Sequence, residues 1–335
     1  MLERPTPAEN VPLRSVTWLD DGDRRFPRHM LSLIVGPPDL GKTLFTHLLA
    51  ARATRLGMTV LLSNPEDVPD FITKPRLLAA GAIIERVKLY TPSMFPAIPT
   101  QMDELRRWIR DEGIELLLLD PLMLHLDVGF RNGFKVREAL RPLSELMMDS
   151  NCTVVGVIHG LKSVKAKASR LDVVPGPSEG LAAAAQTIHL FGHHPHLEEQ
   201  RALVSLKCKI SEEPRAKAFS IRQVDVEDGN RVAETATLNE ERVDLDFGWW
   251  EVLQASKQTA PQSLSKLEAA GAWLESFLGD GGKAQGEVIR EGQLASHTEI
   301  TLRRAAKAME IIKHPAAPGR PSVWELPEGH PGRTY

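Results

Sequence analysis

Gly36-Pro37-Pro38-Asp39-Leu40-Gly41-Lys42-Thr43 is the stretch on which the fold turns. It follows the apolar run LSLIV (31–35) and opens an amphipathic helical pattern, the strand, loop and helix context of a phosphate-binding loop. Glycines let the backbone approach an anion closely, so that N–H groups of the loop and the helix start can bind it. In this reading Gly36, Pro37, Pro38, Asp39, Leu40, Gly41, Lys42, Thr43 and Leu44 hold a nucleoside triphosphate. Lys42 reaches the β- and γ-phosphates, the Thr43 hydroxyl serves Mg²⁺, and Asp39 and Leu40 shape the loop. Gly57 stands where that helix should end. A glycine-rich turn with an incidental lysine is the plainer alternative, and the flanking elements argue against it.

Outward from the loop, short β-rich runs alternate with helical stretches, the pattern of a mostly parallel sheet covered by helices. The runs are TVLLS (59–63), VKLY (87–90), ELLLLD (115–120) and TVVGVIH (153–159), continuously apolar as strands buried on both faces should be. TIHLF (187–191), ALVSLKCKI (202–210) and AFSIRQVDV (218–226) lack long helices between them and predict an antiparallel extension. The polar stretch 254–263 reads as a linker. Helical patterns beginning at Ser265, Lys283 and Glu299, then two short strands around a Pro/Gly turn, outline a winged helix. The expected organisation is an N-terminal segment 1–28, an ATPase domain 29–253, a linker 254–263 and a winged-helix-like domain 264–330.

Hydrolysis needs a carboxylate near Mg²⁺ and a group to orient water. Asp120 ends the strand ELLLLD, at the edge where α/β proteins bind ligands. Glu66, just past TVLLS with Asp67 beside it, is placed to orient or deprotonate water. His159 ends TVVGVIH on the same edge, where it could contact the γ-phosphate and report its loss to the next loop. Each has a structural alternative: a turn before Pro121, a helix start at NPEDVPD, a strand-end histidine with no ligand.

Taken in order, GPPDLGKT, SNPED, LLLLDP and VIHGLKS resemble the motifs of RepA-type replicative ATPases of plasmids, phages and integrated elements, relatives of DnaB-like hexameric helicases. The resemblance spans about residues 13–250 and implies a RecA-like P-loop fold, ATP and Mg²⁺ as cofactors, and a ring, usually a hexamer, with nucleotide at subunit interfaces. It implies single-stranded DNA in a central pore and a replication initiator or primase as partner. Lys42 and Thr43 match the family's loop residues, Glu66 its catalytic glutamate, Asp120 its magnesium-associated aspartate and His159 its sensor. Two departures fall where a neighbouring subunit would act. Gln186 stands where an arginine is usual, and Lys207-Cys208-Lys209 replaces a Lys-Asn-Asn or Lys-Cys-Asn run. Lys207 or Lys209 could supply the trans charge. Gln186 keeps open a second reading, a nucleotide-switched initiator, loader or regulator that does not unwind DNA. A small-molecule kinase shares only the loop.

Charge bears on the DNA question only locally, because the whole chain of 335 residues carries a formal charge of -3. The run Gly160 to Arg170 holds Lys162, Lys165, Lys167 and Arg170 with no acid before Asp172, and fits a pore loop tracking a phosphate backbone. Arg131 and Lys135, with Phe130 and Phe134, form a second candidate; a solvated charged face is the alternative for both. In the C-terminal domain Arg303, Arg304 and Lys307 are the cationic candidates, on a helix that suits DNA or a protein partner. His193, His194 and His196 read as a hairpin loop rather than a zinc cluster. Two cysteines and no run of signal-peptide or membrane-span character lead to the expectation of a cytoplasmic protein.

Overall fold

The computed structural model describes all residues outside 1–5, 91–95, 129–131, 161–168, 175–177, 242–246, 259–265, 296, 316–321, 328–329 and 331–335. The chain divides into two compact units, residues 1–259 and 260–335.

The first unit is built on nine strands. β1 (Leu31–Gly36) runs into the phosphate loop and α1 (Lys42–Arg55), followed by β2 (Val60–Ser63), α2 (Lys74–Ala79), β3 (Val87–Tyr90), α3 (Met102–Asp111) and β4 (Leu116–Leu119). After the short α4 (Leu122–His125) come α5 (Gly133–Ser150), β5 (Thr153–His159), α6 (Ser178–Ala184) and β6 (Thr187–His193). The chain then meanders through β7 (Gln200–Cys208), β8 (Lys217–Asp228) and β9 (Arg231–Glu241) into α7 (Trp249–Gln258). The sheet order is β3-β2-β4-β5-β1-β6-β7-β8-β9, parallel from β3 to β6 and antiparallel beyond it. This is the RecA-like P-loop arrangement with its antiparallel extension, as expected.

Alternation within the central strands assigns the two faces. Leu33, Val35, Leu117, Leu119 and Val154 pack on the side of α3, α5, α6 and α7, while Ile34, Leu116, Leu118, Val155 and Val157 pack on the side of α1 and α2. All are essentially inaccessible, which is why these strands read as unbroken apolar runs.

Two stretches depart from the sequence reading. The polar run from Gln254, expected to be linker, is helical through Gln258, because Ser256 is its buried position: Ser256 Oγ donates to the Val252 carbonyl at 2.7 Å and accepts the His193 amide at 2.7 Å. The remaining positions, 259–263, lie outside the described residues. β9 carried no apolar signal; it is largely half-exposed and is held by backbone pairing to β8 from Ala218↔Glu241 to Asp228↔Arg231.

In the second unit α8 (Lys266–Leu278), α9 (Gln285–Leu294) and α10 (Glu299–Ala308) surround a core of Leu274, Val288, Leu302 and Trp324. Beside them β10 (Lys283–Ala284), β12 (Val323–Glu325) and β11 (Ile312–His314) form a small antiparallel sheet in that spatial order.

Packing of α7 on β6 leaves no room at Gly192, where an added Cβ would lie 2.3 Å from Ser256 Oγ and 2.7 Å from Val252 Cγ1. Gly192→Ala is therefore expected to cost about 1–3 kcal/mol in guanidinium unfolding, with the α7–β6 contact forced apart.

Candidate nucleotide-binding site

The site forms at the carboxyl ends of the parallel strands, where β1 lies between β5 and β6. Gly36 is paired with His159, and the Gly160 amide donates to the Gly36 carbonyl at 2.8 Å. On the other side a Cβ at Gly36 would fall 2.0 Å from the Phe191 carbonyl oxygen, so only glycine fits there. Asp39 and Gly41 adopt left-handed backbone conformations, φ 61° and 93°, which turn the loop into α1. Pro37 and Pro38 have no N–H, so the loop's amide donors begin at Asp39. The first turn of α1 has no side-chain cap and no acidic residue, which leaves its N–H groups free to meet an anion.

Lys42 is 4% exposed, and its ammonium donates to the Pro37 carbonyl at 2.6 Å. Burial lowers its pKa to about 8, against the pull of Asp120, Asp39 and Glu66, which favour the charged form. Asp120 is also 4% exposed; burial raises its carboxyl to about 6, opposed by hydrogen bonds from Thr43 and Thr46 and by Lys42. The Thr46 hydroxyl lies 3.2 Å from Asp120 Oδ2 and 2.8 Å from the Thr43 carbonyl, and donates to one at a time. The Asp120 amide bonds the Ser63 carbonyl at 2.9 Å, and the buried Ser63 hydroxyl finds no hydrogen-bond partner among the described residues. Hydroxyls and a carboxylate gathered beside a phosphate loop are hard oxygen donors, so this set fits Mg²⁺ accompanying a triphosphate.

Glu66 is exposed just beyond β2. His159 is exposed at the end of β5, its pKa lowered chiefly by desolvation and then by Lys42, and raised by Glu66 and Asp39. Lys42, Glu66, Asp120 and His159 are thus brought together on one edge.

Other predicted residues lie elsewhere. β7 runs antiparallel, so Lys207 and Lys209 fall at the opposite end of the sheet, away from this chain's own loop. Lys207 donates to the carbonyls of Ala182 and Ala185 at the end of α6, the latter at 2.7 Å, and Lys209 reaches Ala183 at 3.5 Å. Gln186 sits between α6 and β6, its amide on the Leu31 carbonyl at 2.9 Å. Arg131, Lys162, Lys165 and Lys167 lie outside the described residues, as does Phe130. Lys135 is exposed in the first turn of α5, and Arg170 pairs with Glu213 at 2.5 Å. In the second unit Arg303 pairs with Glu299 at 2.7 Å, while Arg304 and Lys307 are exposed on α10. His193, His194 and His196 fall at the β6–β7 hairpin, where His194 packs edge-on against Phe247.

Two contributors escaped the sequence reading. Thr46 is one helical turn beyond Thr43, a spacing that could have shown it. Arg201 on β7 donates through Nε to the Leu40 carbonyl at 3.3 Å, a contact between segments far apart in sequence with no local signal. A cavity of about 770 Å³ between residues 17–28 and α1, floored by Phe26, Phe45 and Leu48, contains none of the predicted site residues.

Fold and loop together define a P-loop ATPase unit of RecA-like topology. Residues 3–164 match the family model described as an AAA domain, a span that contains Lys42, Glu66, Asp120 and His159. No curated protein matches the chain. Among solved structures, the ATPase domain of a phage helicase aligns at a TM-score of 0.45 and 16% identity, covering 59% of this chain and 82% of that one, a likeness too distant to carry an argument. Among the described residues no helix is long and apolar enough to cross a membrane.

His47, next to Thr46 on α1, is fully buried with neither ring nitrogen partnered among the described residues. Burial, reinforced by Arg76, lowers its pKa to about 3. A depressed pKa means that its contribution to stability is full above about pH 6.5 and is lost as pH falls toward 3. His47→Leu should therefore lose less stability than the parent between pH 6.5 and 3, by up to about 4 kcal/mol in urea unfolding at stepped pH.

Proposed function

We propose that the chain is an ATP-hydrolysing, ring-forming motor that moves on single-stranded DNA during replication of a plasmid, phage or mobile element. The observation that carries this is the direct pairing of His159 with Gly36, on the edge shared by Lys42, Asp120 and Glu66. A histidine so placed meets the γ-phosphate end of a bound nucleotide and is joined by Gly160 to the basic run ending at Arg170.

In this reading the amides from Asp39 onward and Lys42 bind the phosphates of ATP, and Thr43 with Asp120 holds Mg²⁺. MgATP supplies the phosphoryl group. Glu66 orients the attacking water, and the positive charge of Lys42 stabilises charge building on the transferred group. Loss of the γ-phosphate frees His159 and shifts the segment after it. Lys162, Lys165, Lys167 and Arg170, with Arg131 and Lys135, line the path of the DNA backbone in a hexameric ring, and a replication initiator or primase recruits the protein. The second unit, three helices with a small antiparallel sheet, serves as a winged helix that presents Arg303, Arg304 and Lys307 to DNA or protein.

A second reading has its own support. Lys207 is engaged with the carbonyls of Ala182 and Ala185, and Gln186 carries no charge, so the trans cation a motor needs has to be released or supplied elsewhere. This favours a nucleotide-switched binding protein that assembles on DNA without unwinding it.

Strand displacement on a forked duplex, measured with DNA-stimulated ATP hydrolysis, separates the two. A motor displaces the strand, and Lys42→Ala and Glu66→Gln each abolish displacement and lower hydrolysis by about 100-fold or more. Hydrolysis without displacement identifies the switch, and absence of ATP binding by the parent protein overturns both. Replacing Lys162, Lys165 and Lys167 together with alanine should lower the salt dependence of single-strand affinity by about 0.7 per lost phosphate contact. An unchanged slope would remove this segment from the DNA path.

A further inference from the structure

Glu66 is a proposed catalytic group whose side chain no described hydrogen bond holds; its position is set by the backbone of the turn that carries it. That turn is organised by its neighbours. Asn64, 7% exposed at the end of β2, accepts the amides of Glu66 and Asp67 on Oδ1 at 3.0 and 3.3 Å. Its Nδ2 donates to Asp67 Oδ2 at 3.0 Å, and the same oxygen accepts Arg76 Nη1 from α2 at 3.2 Å. The chain of contacts runs from α2 through Asp67 and Asn64 to the Glu66 amide without a break.

We infer that Arg76 is a positioning residue that, acting through Asp67 and Asn64, holds Glu66 at the nucleotide edge. This rests on the reading of Glu66 as the group that orients water. The Arg76–Asp67 pair is half-buried, with side chains 28% and 18% exposed, so it is shielded enough to hold a geometry yet too open to be a main source of stability. His47, buried beside Arg76 and uncharged at neutral pH, brings no second cation to compete for Asp67. Arg76 also neutralises a carboxylate whose charge reaches Asp120 and opposes its ionisation. Removing the guanidinium thus disturbs both the placement of Glu66 and the charge next to the metal-binding carboxylate, while the phosphate loop itself is left intact.

The test is steady-state ATP hydrolysis by the full chain, with affinity for a fluorescent ATP analogue measured beside it. Arg76→Ala should lower kcat by about 10-fold or more with analogue affinity within about 2-fold, and Arg76→Lys should recover part of the loss. Because Arg76 acts through Glu66, Glu66→Gln combined with Arg76→Ala should be no slower than Glu66→Gln alone. If Arg76→Ala does not fold, Asp67→Asn, which removes the charge that Arg76 pairs with, should show the same fall in kcat. The inference is overturned by unchanged kcat in the single variants, by losses that multiply in the double variant, or by kcat, affinity and melting temperature falling together without recovery in Arg76→Lys. Wild-type kcat in Glu66→Gln would overturn the role of Glu66 itself, and the positioning role with it.

Discussion

The threading of β1 between β5 and β6 is the constraint on which the rest of the unit depends. At its end the backbone of Gly36 is pinned from both sides, by the Gly160 amide at 2.8 Å and by the Phe191 carbonyl, which leaves no space for a Cβ. A strand held this way delivers the loop and the uncapped start of α1 to a single place. It also aligns the ends of β4 and β5, so that Asp120 and His159 emerge on the same edge without further adjustment. The apolar layers on both faces serve this geometry, since parallel strands are stable only when covered on both sides.

Electrostatics at that edge is a balance between burial and pairing. Lys42 and Asp120 are both nearly inaccessible, and each is pushed toward its neutral form by desolvation while the other favours the charged one. Such a pair is poised for a polyanion accompanied by a divalent cation, which would supply partners for both. Arg201 on the Leu40 carbonyl and the Asn64, Asp67 and Arg76 contacts give the irregular parts of the site, a loop and a turn, firm attachment to strands and helices.

Much of this was legible in the sequence where the signal is local. GPPDLGKT announces its own conformation, because glycine, proline and lysine at those spacings suit little else, and the unbroken apolar runs located the parallel strands to within a residue or two. The helices of the second unit followed from period and from breaks at Gly279 to Gly282. The signal failed where polar residues are held by backbone or by one buried contact. β9 is a strand because β8 pairs with it, and the end of α7 is a helix because Ser256 fits against β6.

The sequence by itself determined the chemistry available: a phosphate loop, an aspartate and a histidine at strand ends, a glutamate in a turn, and basic runs whose charge depends on no fold. Only the tertiary structure decided which of these meet. It set His159 against Gly36, drew Thr46 to Asp120, brought Arg201 to the loop and Arg76 to the Glu66 turn, and placed Lys207 and Lys209 at the far end of the sheet. The physical reason is that local pattern specifies an element and the face it buries, whereas strand order and direction, settled by packing across the whole sheet, specify which ends become neighbours.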